Sequence, residues 1–294
     1  MTADTAPFLL PLCAALIYVI SALLIKRASA FGLGVWRTTF VANFIVAAVN
    51  SLLLLLGGNF HAELLWQPAL IGALLVGGQL LQFFALERGD VSVAVPVFGI
   101  KVVLVAFFTT LILSETVEAK LWIAAVLSFV AVTCLSRRNE ARPSRHLGIT
   151  LLSGGLGSVC FALFDVFVQK WTPAWGIGRM VPLIFFFGAL LSLALMPFFR
   201  APLRDIPRAV WPWLGGGAVL LGTQSALFIG GFAIYQHATR ANIIYSARGL
   251  FSVLAVWLIG HWFANDERQA GSLVLRWRLA GALLMMAAIA LVMK

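Results

Sequence analysis

The chain has 294 residues, 62% of them hydrophobic and only 11% charged, a balance that excludes an ordinary soluble domain. Its formal net charge of +10 invites a nucleic-acid reading. The basic residues instead flank apolar stretches, as the positive-inside rule expects, so the partner is a lipid bilayer and no nucleic acid is expected.

Ten stretches are long and apolar enough to be read as transmembrane helices. They are Phe8–Ile25, Thr38–Leu56, Pro68–Leu86, Val91–Leu113, Leu121–Leu135, Leu147–Val168, Met180–Phe199, Val210–Ile234, Ala241–Phe263 and Leu279–Met293. The first is not expected to be a cleaved signal peptide. The only charge before it is Asp4, whereas Lys26 and Arg27 follow it. Alternate connections carry fourteen basic residues on one side, Arg88, Arg204 and Arg278 among them, against five on the other, including Lys120 and Arg240. That asymmetry predicts both termini outside the cytoplasm. The Arg-rich, Lys-poor composition suggests a bacterial inner membrane, and nothing in the sequence excludes a homodimer.

The polar run 137–145 splits the chain, with residues 1–136 and 146–294 each holding five stretches. An odd number of crossings per half inverts the second half relative to the first. The fold class expected is all-α integral membrane, ten helices in two inverted five-helix repeats. Internal echoes agree: Lys26, Gly32 and Gly34 with Lys170, Gly176 and Gly178; Gln79 with Gln224; Lys101 with Arg248; Leu111-Ile112 with Leu258-Ile259.

Lys101 and Arg248 are the informative pair. A cation near the bilayer midplane costs at least about 2.5–3.5 kcal/mol, so it lines a pathway or has a partner. Lys101 lies roughly 15 Å along its helix from Val91, too far for easy snorkelling. It either meets an anionic substrate, takes part in coupling, or forms a permanent ion pair with Asp165. Asp165 itself is open to three roles: proton carrier, counter-ion for Lys101 or Arg248, or a residue reaching the near interface. Asn242, Tyr245 and Arg248 recur every three residues on one helical face, followed by Ser252. That stripe reads as a binding surface for carboxylate or phosphate, or as an interhelical hydrogen-bond network. Gln79 and Gln224 either bond substrate or serve packing.

Enzymatic signals are missing from the sequence. His61, His146, His237 and His261 show no metal-binding spacing, and there is no GxSxG or P-loop. Cys13, Cys134 and Cys160 form no CxxC pair. No cofactor, metal or catalytic residue is expected.

Three short motifs in the first half stand together: Ala85-Leu86, Val95-Pro96-Val97-Phe98 and Leu113-Ser114-Glu115. From Ala85 to Val132 the chain resembles the end of an EamA repeat of the drug/metabolite transporter superfamily. The second half is a looser likeness, with Ile244 and Trp262 where proline and glutamate would stand. The resemblance implies a ten-helix basket around a central substrate cavity, in a superfamily whose members carry amino acids, sugar phosphates, nucleotide sugars and drugs. Its sugar-phosphate and nucleotide-sugar translocators are similar in placing basic residues on the fourth and ninth helices.

The function expected is a secondary transporter of a small metabolite bearing carboxylate or phosphate. Substrate would be held by Lys101, Arg248, Tyr245 and Asn242, with Gln79 and Gln224 assisting. The alternatives are an exporter of amino acids or other largely neutral compounds, with Asp165 neutralising the cations, and a non-transporting membrane scaffold.

Overall fold

The computed structural model describes residues 6–88, 91–136, 147–259 and 272–293, and every regular element among them is helical. The first half holds α1 (Ala6–Ser29), α2 (Val35–Ser51), α3 (Trp66–Arg88), α4 (Val91–Gly99), α5 (Lys101–Leu113) and α6 (Ala119–Leu135). The second holds α7 (Leu147–Trp175), α8 (Ile177–Leu191), α9 (Trp211–Ala233), α10 (Ala238–Tyr245), α11 (Arg248–Ile259) and α12 (Ser272–Met293). Helix thus occupies most of each predicted stretch where the stretch is described. The basic run 137–145, His146, His261 and Trp262 lie outside the described residues.

Eight of these helical stretches are long and apolar enough to cross a membrane. Helix α6 is shorter, at 17 residues, and α10–α11 is interrupted. The chain is a multi-pass membrane protein. Its outer surface carries large apolar side chains such as Leu16, Ile20, Leu111, Leu152, Leu283 and Met286, which suit lipid.

Inside, the helices meet through small residues, because packing without a water-driven hydrophobic force needs close backbone approach. On α1 and α9, Ser21 Oγ donates to Gly217 O at 2.7 Å, and a Cβ at Gly217 would stand 2.8 Å from Ile25. On α3 and α8, a Cβ at Gly72 would stand 2.9 Å from Ile184 O. The largest helix pairings are α1 with α9 and α3 with α7, followed by α6 with α12. Helix α9 also packs on α2, as α3 does on α8. Helices α4 and α5 both pack on α7, as α10 and α11 do on α1.

Two local features recur in the halves. Gly34 caps α2 with φ 75° and ψ 147°, and Gly176 caps α8 with φ 73° and ψ 150°. Both values lie where a Cβ is strained, which explains glycine there. The sequence echo had set Gly34 against Gly178; by backbone conformation its counterpart is Gly176, because Gly178 already lies inside α8. Both α2 and α8 then tighten into 3₁₀ turns, Leu52–Leu56 and Ser192–Phe198.

The second feature positions the cations. Ile100 separates α4 from α5, and Ser246-Ala247 separate α10 from α11. At these breaks the backbone bonds span three residues: Ile100 N donates to Val97 O at 3.2 Å, and Ala247 N to Ile244 O at 3.0 Å. Lys101 and Arg248 are the first residues after the two breaks.

Candidate functional site

A cavity of about 530 Å³ lies where the two halves meet. It reaches Ser136, the last described residue before the polar run, so it belongs to that face of the bundle, called here the linker face. Besides Ser136 and Ser246, its polar lining includes Tyr18 on α1, Gln82 on α3, Lys101 on α5, Asn242, Tyr245, Arg248 and Ser252 on α10–α11, and Arg278 on α12. Phe83, Phe98, Val132 and Val253 supply an apolar wall. No carboxylate lines it among the described residues.

Lys101 is paired behind this lining. Its Nζ lies 2.7 Å from Asp165 Oδ2, and Asn242 Nδ2 donates to the same oxygen at 2.8 Å. Asp165 is 1% exposed, so it does not reach an interface. Of the roles left open for it, a counter-ion to Lys101 is the one this placement fits. Its other oxygen, Oδ1, accepts no hydrogen bond from the described residues. Lys101 also stands 5.5 Å from the Phe228 ring centroid and 5.9 Å from that of Phe161.

Arg248 has a different environment. Its guanidinium lies 4.9 Å from the Tyr18 ring centroid and 4.6 Å from that of Tyr245. The two rings meet edge to face at 6.0 Å. No described carboxylate lies within ion-pairing distance of it. Stacking holds the fork without neutralising it, which leaves the charge available to a ligand. Phe228 packs on Tyr245 at 4.3 Å, and Tyr245 OH donates to Gln224 Oε1 at 2.9 Å. Gln224 therefore orients the tyrosine from behind and does not line the cavity.

The predicted stripe is only partly a continuous helical face. The break at Ser246-Ala247 falls between Tyr245 and Arg248, yet Asn242, Tyr245, Arg248 and Ser252 all reach the cavity. Gln79 does not. It exchanges bonds with Asn43 at 3.0 and 3.2 Å, and Asn43 also donates to Ser192 Oγ at 2.7 Å. It ties α3 to α2 beside α8, the packing alternative left open for it, and it is not among the residues that line this cavity. Gln82, almost one turn further along, is the α3 amide that lines the cavity. Tyr18 and Arg278 were not singled out from the sequence. Tyr18 carried a signal, as one of three tyrosines in the chain and the only one in the first half.

A second cavity of about 440 Å³ lies on the opposite face, lined by Glu115, Glu118, Gln169, His237 and Arg240. In its lining, Thr239 Oγ1 donates to Thr109 Oγ1 at 3.4 Å. Gln169 Nε2 donates to Gln236 O at 3.0 Å and to the Glu115 carboxylate at 3.2 Å, while Ala238 N donates to Gln169 Oε1 at 2.7 Å. Nearer the surface, Glu118 meets Lys120 at 2.8 Å and Arg240 at 3.1 Å. The Lys120 hydrogen bond holds the Glu118 carboxyl below its usual range. Burial pushes the His237 imidazole below its usual value, and Arg240 adds to this. Among the described residues no three His, Cys, Asp or Glu side chains converge as a metal site.

Residues 5–137 match the EamA-like transporter family. The resemblance read from Val95–Phe98 and Leu113–Glu115 is thereby borne out over the first half of the chain. At family level the match points to a membrane transporter of the drug/metabolite type. Among solved structures 28 chains match. One crystal structure, 15% identical in sequence, has a TM-score of 0.74 over 97% of this chain and 96% of its own. At that identity the likeness speaks for the fold alone. No curated protein matches the sequence.

Proposed function

We propose that this EamA-type chain is a secondary transporter of a small organic anion bearing a carboxylate or phosphate. The observation that carries this reading is Arg248: a half-buried guanidinium, stacked between Tyr18 and Tyr245, facing a cavity with no acidic lining residue among the described residues. Asn242 and Gln82 add amide hydrogen-bonding capacity, and about 530 Å³ is the size of a small-molecule site. Phe83, Phe98 and Val132 suit the carbon body of such a ligand.

Alternating access is the mechanism proposed. Matching the first five predicted stretches with the last five turns α1–α9 into α3–α7, and α2–α9 into α3–α8. This reciprocity supports an inverted repeat of ten crossings whose halves rock about the cavity. The Thr109–Thr239 and Gln169 bonds act as the gate on the far side. With both termini outside the cytoplasm, as the charge asymmetry favours, the cavity opens toward the cytoplasm.

A second reading, export of amino acids or other largely neutral compounds, draws on the Lys101–Asp165 pair, which neutralises one of the three cations that line the cavity. It leaves Arg248 without a partner, and for that reason ranks second.

A thermal-shift panel of carboxylates, phosphates, amino acids and neutral amines tests the proposal, because a ligand stabilises the state it binds. Anions raise the melting temperature of the native chain and not of Arg248→Gln. Stabilisation by neutral compounds that survives Arg248→Gln overturns it in favour of the second reading.

A further inference from the structure

We infer that Asp165 fixes the charge of the transported molecule, selecting a singly charged anion over a doubly charged one. The inference rests on the anion-carrier reading above and narrows its substrate class.

Two cations of the central site face the cavity, Lys101 and Arg248, and one carboxylate stands behind them. Asp165 lies 2.7 Å from Lys101 as an ion pair, so the two charges sum to zero. Asn242 fixes the carboxylate through a 2.8 Å bond to the same oxygen. The phenols of Tyr18 from α1 and Tyr245 from α10 also face the site. What remains is the single charge of Arg248. Arg278 also lines the cavity, but from the early part of α12 beside Leu135 and Ser136, at the linker-face end. It is half-buried, as Lys101 and Arg248 are, and is already engaged by another group, so it is not counted with the inner pair.

An occluded site is favourable when its charges cancel, since an unpaired charge at membrane depth carries the same penalty that made Lys101 and Arg248 conspicuous. One monocarboxylate cancels one guanidinium. A dicarboxylate or phosphate dianion leaves a surplus negative charge that Lys101 can offset only by leaving Asp165 uncompensated. The Lys101 ammonium still has donors to offer a carboxylate while it keeps the Asp165 contact. It orients the ligand without adding net charge.

The test compares short monocarboxylates with dicarboxylates and phosphate monoesters of matched size, at mildly alkaline pH where the latter two carry two charges. Ligand-dependent thermal stability of the full chain in detergent is the readout, for the native protein, Asp165→Asn and the double variant Lys101→Gln/Asp165→Asn. The native chain and the double variant, both with one net charge, favour monocarboxylates by at least about tenfold. Asp165→Asn, with two, reverses the order. If Asp165→Asn does not fold, the native chain and the double variant still decide. A native preference for dianions, an unchanged order in folded Asp165→Asn, or a double variant that loses the monocarboxylate preference overturns the inference and leaves the anion reading standing. Stabilisation by no anion of either charge overturns both.

Discussion

Lys101 Nζ stands 2.7 Å from Asp165 Oδ2, whereas Arg248, its counterpart at the other helix break, lies against the faces of Tyr18 and Tyr245. The two cations are alike in sequence placement and unlike in surroundings: one has a carboxylate partner, the other two aromatic rings. Much of the site's behaviour follows from that difference.

Removing one partner of a buried pair strands the other charge. Lys101→Gln and Asp165→Asn each lower stability by about 3–5 kcal/mol, while the double variant loses less than either single change. Chemical denaturation in detergent measures the cycle. Additive costs would mean the pair is not coupled.

The aromatic clamp makes Arg248→Lys a partial substitute. It keeps the charge but loses the planar fork and its stacking, a loss of about 0.5–2 kcal/mol in anion affinity. Tyr18→Leu weakens affinity in the same direction. Calorimetric titration with the best-binding anion checks both, and an unchanged affinity in Tyr18→Leu would contradict the clamp.

Gln79 and Gln82 separate packing from binding on a single helix. Gln79→Leu leaves buried Asn43 with fewer partners and costs about 1–3 kcal/mol of stability without changing anion affinity. Gln82→Leu reduces affinity with little effect on stability. Melting temperature and titration on the same samples distinguish the two.

The face opposite the linker has its own pH response. His237 is held below its ordinary value in the folded chain by burial and then by Arg240, so the unfolded chain takes up its proton first. Stability therefore falls as pH drops below the ordinary imidazole value, and the loss levels off once the folded state is protonated. Glu118 is held low by its Lys120 hydrogen bond, so its contribution is present above the ordinary carboxylate value and lost as pH falls through its lowered folded value. His237→Gln removes the loss at mildly acidic pH and leaves the one at lower pH. Melting curves across the acid range follow both.

Gly34 and Gly176 share one backbone conformation but not one environment. A Cβ at Gly34 meets nothing within 4 Å, whereas at Gly176 it would stand 3.1 Å from Gly58 Cα. Gly34→Ala therefore reports backbone strain alone, about 1–3 kcal/mol, and Gly176→Ala costs more. Thermal unfolding of the two variants ranks them.

The helices were legible because a bilayer forces each crossing to be apolar for its whole length, and the cations because the same medium penalises charge. Pro96 lies inside α4, and the donor it withholds belongs to the turn before it, so it does not by itself mark the break at Ile100. No proline or glycine marks Ser246-Ala247, so the matching break was not visible, and Asn242–Tyr245–Arg248 was read as one unbroken face. Which cation Asp165 meets depends on how α7 sits between α5 and α10, a packing fact that periodicity does not encode. Gln79 and Gln82 illustrate the same limit. Three residues apart on α3, they point at different neighbours, and only the packed bundle decides which one meets the cavity.

Exchange flux through Arg248 tests the account most directly. Proteoliposomes holding the full chain are loaded with an unlabelled monocarboxylate or left empty, and uptake of the same labelled compound is followed at fixed pH. An empty site with an unpaired guanidinium resists the conformational switch, so fast uptake into loaded vesicles, slow uptake into empty ones and neither with Arg248→Gln is the predicted result. Equal uptake into loaded and empty vesicles, or undiminished uptake by Arg248→Gln, would contradict it.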